Sequence, residues 1–197
     1  MSVTTLQFKK DTAIELAFAT VTEGMEGQLF GDYFPKVMPI IMELGGKPLG
    51  SFGIAKAATN FGHPKMGVFF QWPTIETFDA LHDESRFLEI KSIRDDALSF
   101  FCNGNFFESQ KDQELSFEEG QEFALITLWS EEENMSLSPI INLRPLDLSL
   151  KQDYRPMQVL ICPWSDGVED LLLSSLKGTS DKAREPDVFK IAFNPPK

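Results

Sequence analysis

Residues 64–107 read PKMGVFFQWPTIETFDALHDESRFLEIKSIRDDALSFFCNGNFF, and this stretch predicts a strand, a helix in two pieces and a second strand. Its first part, residues 66–72, is a short and nearly continuous apolar run with aromatic side chains, which favours a buried strand over a helix. Pro73 ends that strand, because proline cannot donate to a sheet ladder. Thr74 is then placed to cap the helix that follows.

The helical part of this stretch carries two apolar stripes. The first stripe repeats every three residues and consists of Ile75, Phe78 and Leu81. The spacing breaks at residues 82–85, and a second stripe begins at Phe87. We therefore expect two helices separated by a kink. Asn103-Gly104 predicts a turn before the chain becomes extended and apolar again at residues 106–107.

Upstream of this stretch, the chain completes a ferredoxin-like pattern. Residues 14–21 predict a strand, and residues 48–58 predict a second one. Between them, residues 28–44 form an amphipathic helix that Pro39 is expected to bend or interrupt. Together with the central stretch, these elements give the order β-α-β-β-α-β, which is the ferredoxin-like order.

The second half of the chain repeats part of this pattern. Residues 135–153 are broken by prolines and predict a short helix or loop and a short strand. Ser165 is placed to cap a helix with an apolar stripe. Three further strands are predicted at residues 122–129, 157–164 and 188–193.

One polar segment lies before the first half of the chain, and another lies between the two halves. We expect residues 1–12 to be a polar tail and residues 108–121 to be a linker. The predicted domains are therefore a ferredoxin-like half at residues 1–112 and a second, reduced ferredoxin-like half at residues 113–197.

The two halves share a strand-to-helix junction. Residues 67–81, GVFFQWPTIETFDAL, and residues 158–172, QVLICPWSDGVEDLL, each join an apolar strand, a Trp beside a Pro, a hydroxyl cap and a helix. Such self-similarity suggests duplication. A four-stranded sheet with both helices on one face leaves an apolar face that must be covered. We therefore predict an α+β fold in which two ferredoxin-like halves pack their antiparallel sheets as a pseudo-dimeric barrel.

Composition restricts the partners and the compartment. The 197 residues carry a net charge of −12, which disfavours nucleic acid and anionic membranes. No segment approaches the ~18 apolar residues that span a bilayer, and the first residues lack the apolar core of a signal peptide. Cys102 and Cys162 are far apart in sequence, and free thiols fit a reducing cytoplasm. A homodimer is left open.

Residues 45–107 resemble the small uncharacterised domains of the dimeric α+β barrel superfamily. The features that carry the resemblance are Gly45-Gly46, Leu49, Gly53, Trp72-Pro73-Thr74, Phe78-Asp79-Ala80, Phe87, Arg94-Asp95-Asp96-Ala97 and Gly104. This sequence has Trp72 where those domains usually have Phe, and Phe87 where they usually have Tyr. The resemblance implies the fold. It does not imply one chemistry, because the superfamily includes cofactor-free monooxygenases, isomerases, dehydratases, haem enzymes and domains without known activity.

Four residues are candidates for binding a ligand. Tyr33 either packs at the rim of the core or, in a cleft, orients an enol or a phenol. His63 is either an exposed, inert loop residue or an acid or base at a barrel mouth. His82 lies at the helix break, where a capping or surface role competes with a functional one. Arg94 falls on or near the apolar stripe, where it either pairs with a carboxylate such as Asp95 or anchors a ligand carboxylate.

Motifs for cofactors and metals are not found in the sequence. It contains no GxGxxG, GxSxG, CxxC or HExxH pattern, so we expect no cofactor and no metal site. Two functions follow. One is a small-molecule binding protein or cofactor-independent enzyme with an apolar cavity in the first half. The other is a non-catalytic structural or protein-interaction module, in which phenylalanines fill the pockets. The sequence names no catalytic residue and does not decide between them.

Overall fold

Eight antiparallel strands close into a barrel in the computed structural model, which describes residues 3–129, 138–146, 156–177 and 185–195. The strands of the fold are β1 Thr4–Phe8, β2 Ala13–Val21, β3 Lys47–Ala58, β4 Met66–Trp72, β5 Leu98–Glu108, β6 Gln113–Phe117, β7 Glu122–Leu128, β8 Ile141–Pro145, β9 Gln158–Pro163 and β10 Asp187–Phe193. The helices are α1 Phe34–Glu43, α2 Ile75–Asp83, α3 Ser85–Ala97 and α4 Asp166–Lys177, and a π-helical segment, Gly27–Tyr33, runs directly into α1. The predicted α+β class is confirmed.

The barrel strands follow the order β10-β3-β4-β2-β5-β8-β9-β7. Strands β2 to β5 are therefore neighbours in one part of the barrel, and strands β7 to β10 are neighbours in the other. Pairing of β3 with β10 and of β5 with β8 joins the two groups. The division of the chain into domains at residues 112 and 113 stays a prediction.

The barrel interior is a packed core of aromatic and aliphatic side chains. Phe18, Phe52 and Phe69 are fully buried there, and their rings make edge-on or tilted contacts with neighbouring rings. On β2, Ile14 and Leu16 point into the same core, since alternate residues of a strand face the same side. Because these side chains fill the inside, the space for a ligand has to be sought on the outer face.

A two-stranded ribbon of β1 and β6 corrects the predictions for both polar segments. Residues 1–12 are not a tail, because they contain β1, and residues 108–121 are not a simple linker, because they contain β6. Each strand alternates polar and buried apolar residues and points two side chains into the barrel core; these are Leu6 and Phe8 from β1 and Leu115 and Phe117 from β6.

The outer face of strands β2, β4 and β5 is covered by the π-helical segment and by α1, α2 and α3. The predicted kink is confirmed, with α2 ending at Asp83 and α3 starting at Ser85. Glu84 lies between the two helices, and its side chain accepts the backbone N–H of Arg86 at the start of α3, at 3.3 Å. Pro39 lies inside α1, which continues to Glu43, so the helix is not interrupted.

Strand β5 contains an irregularity where the sequence predicts a turn. Leu16 of β2 pairs with Asn105, and Phe18 pairs with Cys102, so β5 has one more residue than β2 between these pairs. Gly104 lies at this bulge with φ of 72°. Asn103-Gly104 therefore supplies the positive φ expected of such a pair, but inside a strand, where it forms a β-bulge.

The outer face of the second group of strands packs against α4. Val168 and Leu172 of α4 are buried against strands β7, β9 and β10, as the predicted stripe requires. The predicted short strand within residues 135–153 corresponds to β8, while residues 135–137 and 147–153 lie outside the described part. Cys102 and Cys162 are free thiols. In the ranges described above, every helix is too short or too polar to cross a membrane.

Candidate functional site

A cavity of about 90 Å³ lies between the outer face of the first group of strands and the helices that cover it. A single water molecule needs roughly 10–15 Å³ of such space, so the cavity has room for several. Its walls come from β2, β4, the π-helical segment and α1 to α3, and most of them are aromatic or aliphatic.

The residues of β2 explain why space remains here. Its inward positions carry large side chains, whereas its outward positions include Ala17 and Ala19, both of which line the cavity. Phe78 and Leu81 of α2 line the opposite wall of the cavity. The small side chains on the sheet therefore leave space between the strand and the helix. The cavity therefore follows from the small residues on one face of one strand.

Glu15 is a buried carboxylate on the sheet side of this cavity. Its side chain is only 4% exposed. Trp72 donates its indole N–H to Oε2 at 3.0 Å, and the backbone N–H of Gly104 is donated to Oε1 at 3.0 Å. Each carboxylate oxygen thus has one donor from a neighbouring strand, which fixes the orientation of the group.

Burial changes the acidity of Glu15. It raises the pKa of this carboxyl above its ordinary value of 4.5, and the hydrogen bonds from Gly104 and Trp72 and the charge of Arg94 oppose that rise only in part. A carboxylate whose pKa moves toward neutrality is a better proton acceptor, because general bases work best near the operating pH. Glu15 is therefore equipped to take a proton from a molecule in the cavity.

The bulge in β5 is what brings Gly104 to Glu15. An extra residue on one strand re-aims the backbone, and such bulges often lie beside functional sites. Gly104 lies at this bulge with a positive φ, and its backbone N–H is donated to Oε1 of Glu15. Asn103, the preceding residue, itself lines the cavity.

Arg94 places a positive charge at the helix side of the cavity. The residue is 8% exposed, and its Nε and Nη2 donate to Oδ1 of Asp95 at 2.9 and 2.6 Å. Its guanidinium carbon lies 4.5 Å from the ring centroid of Phe101 and 5.7 Å from that of Phe87. The aromatic rings hold the cation in place by cation–π contact.

Tyr33 lies next to Arg94 at the end of the π-helical segment. The guanidinium carbon of Arg94 is 6.0 Å from its ring centroid. Burial raises the pKa of the Tyr33 hydroxyl above its ordinary value of 10, although hydrogen bonding and charge from Arg94 act in the opposite direction. The hydroxyl therefore stays protonated at neutral pH and is able to donate a hydrogen bond.

The two histidines have different positions. His82 is half-buried and lines the cavity, where its Nδ1 lies 3.2 Å from the carbonyl oxygen of Phe78 and its ring packs edge-on against Phe78 and Phe87. His63 is exposed on the connection before β4, and its backbone carbonyl accepts from the hydroxyl of Thr20. The structure thus gathers Tyr33, His82 and Arg94 around one cavity and leaves His63 outside it.

Two residues of the site were not singled out for it by the sequence. Glu15 had a signal, because it is the only charged residue in the apolar run AIELAFA of β2. The sequence placed Trp72 only at a strand-to-helix junction that is repeated around Trp164. In the structure, Trp72 donates to Glu15 inside the site, whereas Trp164 packs its ring 4.8 Å from Nζ of Lys190.

Metal binding has little support in this arrangement. Among the described residues, no group of three or more His, Cys, Asp or Glu side chains is placed to hold a metal ion. The polar groups that line the cavity include Glu15, Tyr33, His82 and Arg94, which together offer a proton acceptor, a hydroxyl donor, an imidazole and a fixed cation.

Comparison with known proteins shows a likeness to a solved structure. No protein-family model matches the chain, and no curated protein matches it. Among solved structures, an anthrone oxidase-like protein aligns with a TM-score of 0.52 over 96% of this chain and 94% of its own, at 10% sequence identity. At that identity the match shows a shared fold alone.

Proposed function

We propose that the cavity binds a flat, largely apolar aromatic molecule and that Glu15 removes a proton from it. The observation that carries this proposal is the buried carboxylate of Glu15, which lines an apolar cavity and has a raised pKa. A titratable group of this kind in a cleft is a candidate for function. A filled core without a cavity would have favoured the structural module instead.

The walls of the cavity support an aromatic ligand. Phe70, Trp72, Phe78 and Phe87 line it, and ring faces and edges of this kind prefer aromatic partners. Ligand pockets are commonly apolar with a few placed polar groups that set orientation. Glu15 on the sheet side and Arg94 on the helix side are such groups here.

The name of the structural neighbour suggests a reaction for this site. Anthrones are tricyclic aromatic ketones with an acidic ring CH₂ group. Loss of one proton to Glu15 would give an electron-rich anion that dioxygen can oxidise. Over the whole reaction the CH₂ carbon loses two C–H bonds and gains a C=O bond, dioxygen takes four electrons, and its oxygen atoms end in the product and in one water. We propose this oxidation as the activity.

The test measures ligand binding and oxygen consumption together. We expect anthrone to quench Trp72 fluorescence and to be oxidised faster than in buffer, with Glu15→Gln slowing the reaction by about 10²–10⁴-fold, the usual contribution of a general base. Glu119→Gln, on an exposed turn, is the matched control. If neither anthrone nor naphthol-sized aromatics bind, the protein is better described as the non-catalytic module. If anthrone binds but Glu15→Gln reacts as fast as the wild type, Glu15 is not the base.

We also infer that the two groups of strands are copies of one ferredoxin-like unit. Their orders, β3-β4-β2-β5 and β8-β9-β7-β10, correspond strand by strand. Ile14 of β2 pairs with the residue before Trp72, which is Gln71. Phe123 of β7 pairs with the residue before Trp164, which is Pro163. A fragment of residues 1–112 should then form a symmetric dimer in solution, detectable by light scattering. A fragment that stays monomeric would count against the inference.

A further inference from the structure

We infer that Arg94 and Tyr33 form an oxyanion-binding pair, which selects hydroxyaryl ligands whose oxygen is ionised when bound. This inference rests on the proposed use of the cavity and adds the chemical class of its ligand. It concerns the equilibrium state of the bound molecule. It is therefore separable from the role of Glu15, which concerns the rate of proton removal.

The charge balance around Arg94 supports the pair. Both bonds from its guanidinium to Asp95 go to one oxygen, and they use Nε and Nη2, so Nη1 is not bound to Asp95. The side chain of Asp95 is 47% exposed, so water screens its charge. The side chain of Arg94 is only 10% exposed, and its guanidinium cannot lose its proton. A buried cation that is only partly balanced favours an anion beside it.

Glu15 does not supply that anion through a hydrogen bond. Its two oxygens accept from Trp72 and from the backbone N–H of Gly104. Tyr33, which remains protonated, adds a neutral donor next to Arg94. A positive group and a hydroxyl donor side by side in an apolar cavity stabilise a phenolate or enolate oxygen, because electrostatic attraction is stronger away from water.

The test uses alizarin, a flat dihydroxyanthraquinone that changes from yellow to red when its first hydroxyl ionises. Absorbance is recorded from pH 4 to pH 9 with the probe free and with the probe bound. The ionisable groups beside it are Glu15 on β2, Tyr33, His82 on α2, and Arg94 with Asp95 on α3. We expect the bound probe to ionise at least one pH unit lower than the free probe, which is a tenfold or larger change in its ionisation equilibrium.

Variants separate this inference from the proposed function. Arg94→Met should abolish the shift and Tyr33→Phe should reduce it. Arg94→Lys, which retains the charge, should keep most of it even if Arg94→Met folds poorly. Glu15→Gln and His82→Gln should leave the shift in place, and Arg86→Met, which removes an exposed cation of the same helix, is the control.

The outcomes lead to different conclusions. If the probe binds, as seen by quenching of Trp72 fluorescence, but ionises at the pH of the free probe, the oxyanion pair is overturned and aromatic binding stands. The same conclusion follows if the ionisation of the probe is shifted as much in Arg94→Met as in the wild type. If the shift disappears in Glu15→Gln instead, the anion is held by proton transfer to Glu15 and the pair is again overturned. Failure of the probe to bind at all would overturn the oxyanion pair, while the binding test with anthrone still decides the proposed function.

Discussion

The barrel buries two carboxylates, and it treats them differently. On the first face, the outer face of strands β2, β4 and β5, Glu15 receives two hydrogen bonds and lines a cavity. Asp187 instead lies on the inward side of β10, the side that carries Phe189, and accepts at least three hydrogen bonds, from the hydroxyls of Thr59 and Thr127 and from the indole of Trp129, at 2.5, 3.1 and 2.9 Å. The comparison teaches that burial alone does not mark a functional acid. Asp187 joins β10 to neighbouring elements, whereas Glu15 is kept accessible to a ligand.

The covering layers differ in the same sense. Four helical segments cover the first face, yet small residues on β2 leave space beneath them. One helix, α4, covers the second face, where Ala124, Ile126 and Leu160 are tightly buried below it. We conclude that the first face is packed less closely and contains a cavity, whereas the second face is closely packed.

The largest expected effect comes from removing the structural carboxylate. Asp187→Ala should destabilise the fold by about 3 kcal/mol or more, because it leaves the buried hydroxyl of Thr127 and the partly buried donors of Thr59 and Trp129 without their acceptor. Glu15→Gln keeps an acceptor for Trp72 and should not destabilise the fold to a comparable extent. Urea denaturation at neutral pH measures both. Equal losses in the two variants would break the proposed difference between the carboxylates.

A matched pair of alanines tests the packing difference. Ala17→Leu adds a side chain that projects into the cavity and should have little effect on stability while it blocks aromatic ligands. Ala124→Leu adds the same atoms to a site with no exposed surface and should cost about 1–3 kcal/mol through overpacking. Thermal unfolding and anthrone binding distinguish them. If Ala17→Leu is as unstable as Ala124→Leu, the first face has no usable space.

The pH dependence of stability sharpens the comparison at Glu15. Since its pKa is raised in the folded state, folding is penalised as pH rises above about 4.5 and through the folded-state value, and the penalty is complete above that value. Glu15→Gln removes this penalty. Its stability relative to wild type should therefore rise with pH by about 1.4 kcal/mol for each unit of the shift. Glu119→Gln should show no comparable trend, and a flat difference for Glu15→Gln would contradict the raised pKa.

The fold was predictable from local patterns, and the site was less so. Apolar runs and caps are sufficient to predict α2, α3, α4 and most barrel strands, because these signals lie within each element. Strands β1 and β6 were missed because each has only two apolar core residues, and its partner lies more than 100 residues away in sequence. Five-residue strands with polar outward positions look like tails and linkers until that partner is known.

Glu15 was missed for a related reason. Its donors, Trp72 and Gly104, are 57 and 89 residues away, so its environment exists only after the strands have paired. Tyr33 and Arg94 were accessible to sequence reasoning as polar residues on apolar helix stripes. His63 attracted attention only as a rare residue type, and a loop histidine carries no information about where its loop lies.

The smallest expected effect isolates the bulge. Gly104 and Gly120 have φ values of 72° and 78°, and a Cβ at either position would meet no atom within 4 Å. Alanine at either site should therefore cost about 1 kcal/mol from the left-handed backbone alone. Only Gly104→Ala stresses the N–H that is donated to Glu15, so only this variant should displace the pH profile of anthrone oxidation. That displacement should be toward higher pH, because a weakened bond to the carboxylate raises its pKa further. Equal profiles for the two variants, with equal losses of stability, would mean that the bulge shapes the strand and does not tune the base.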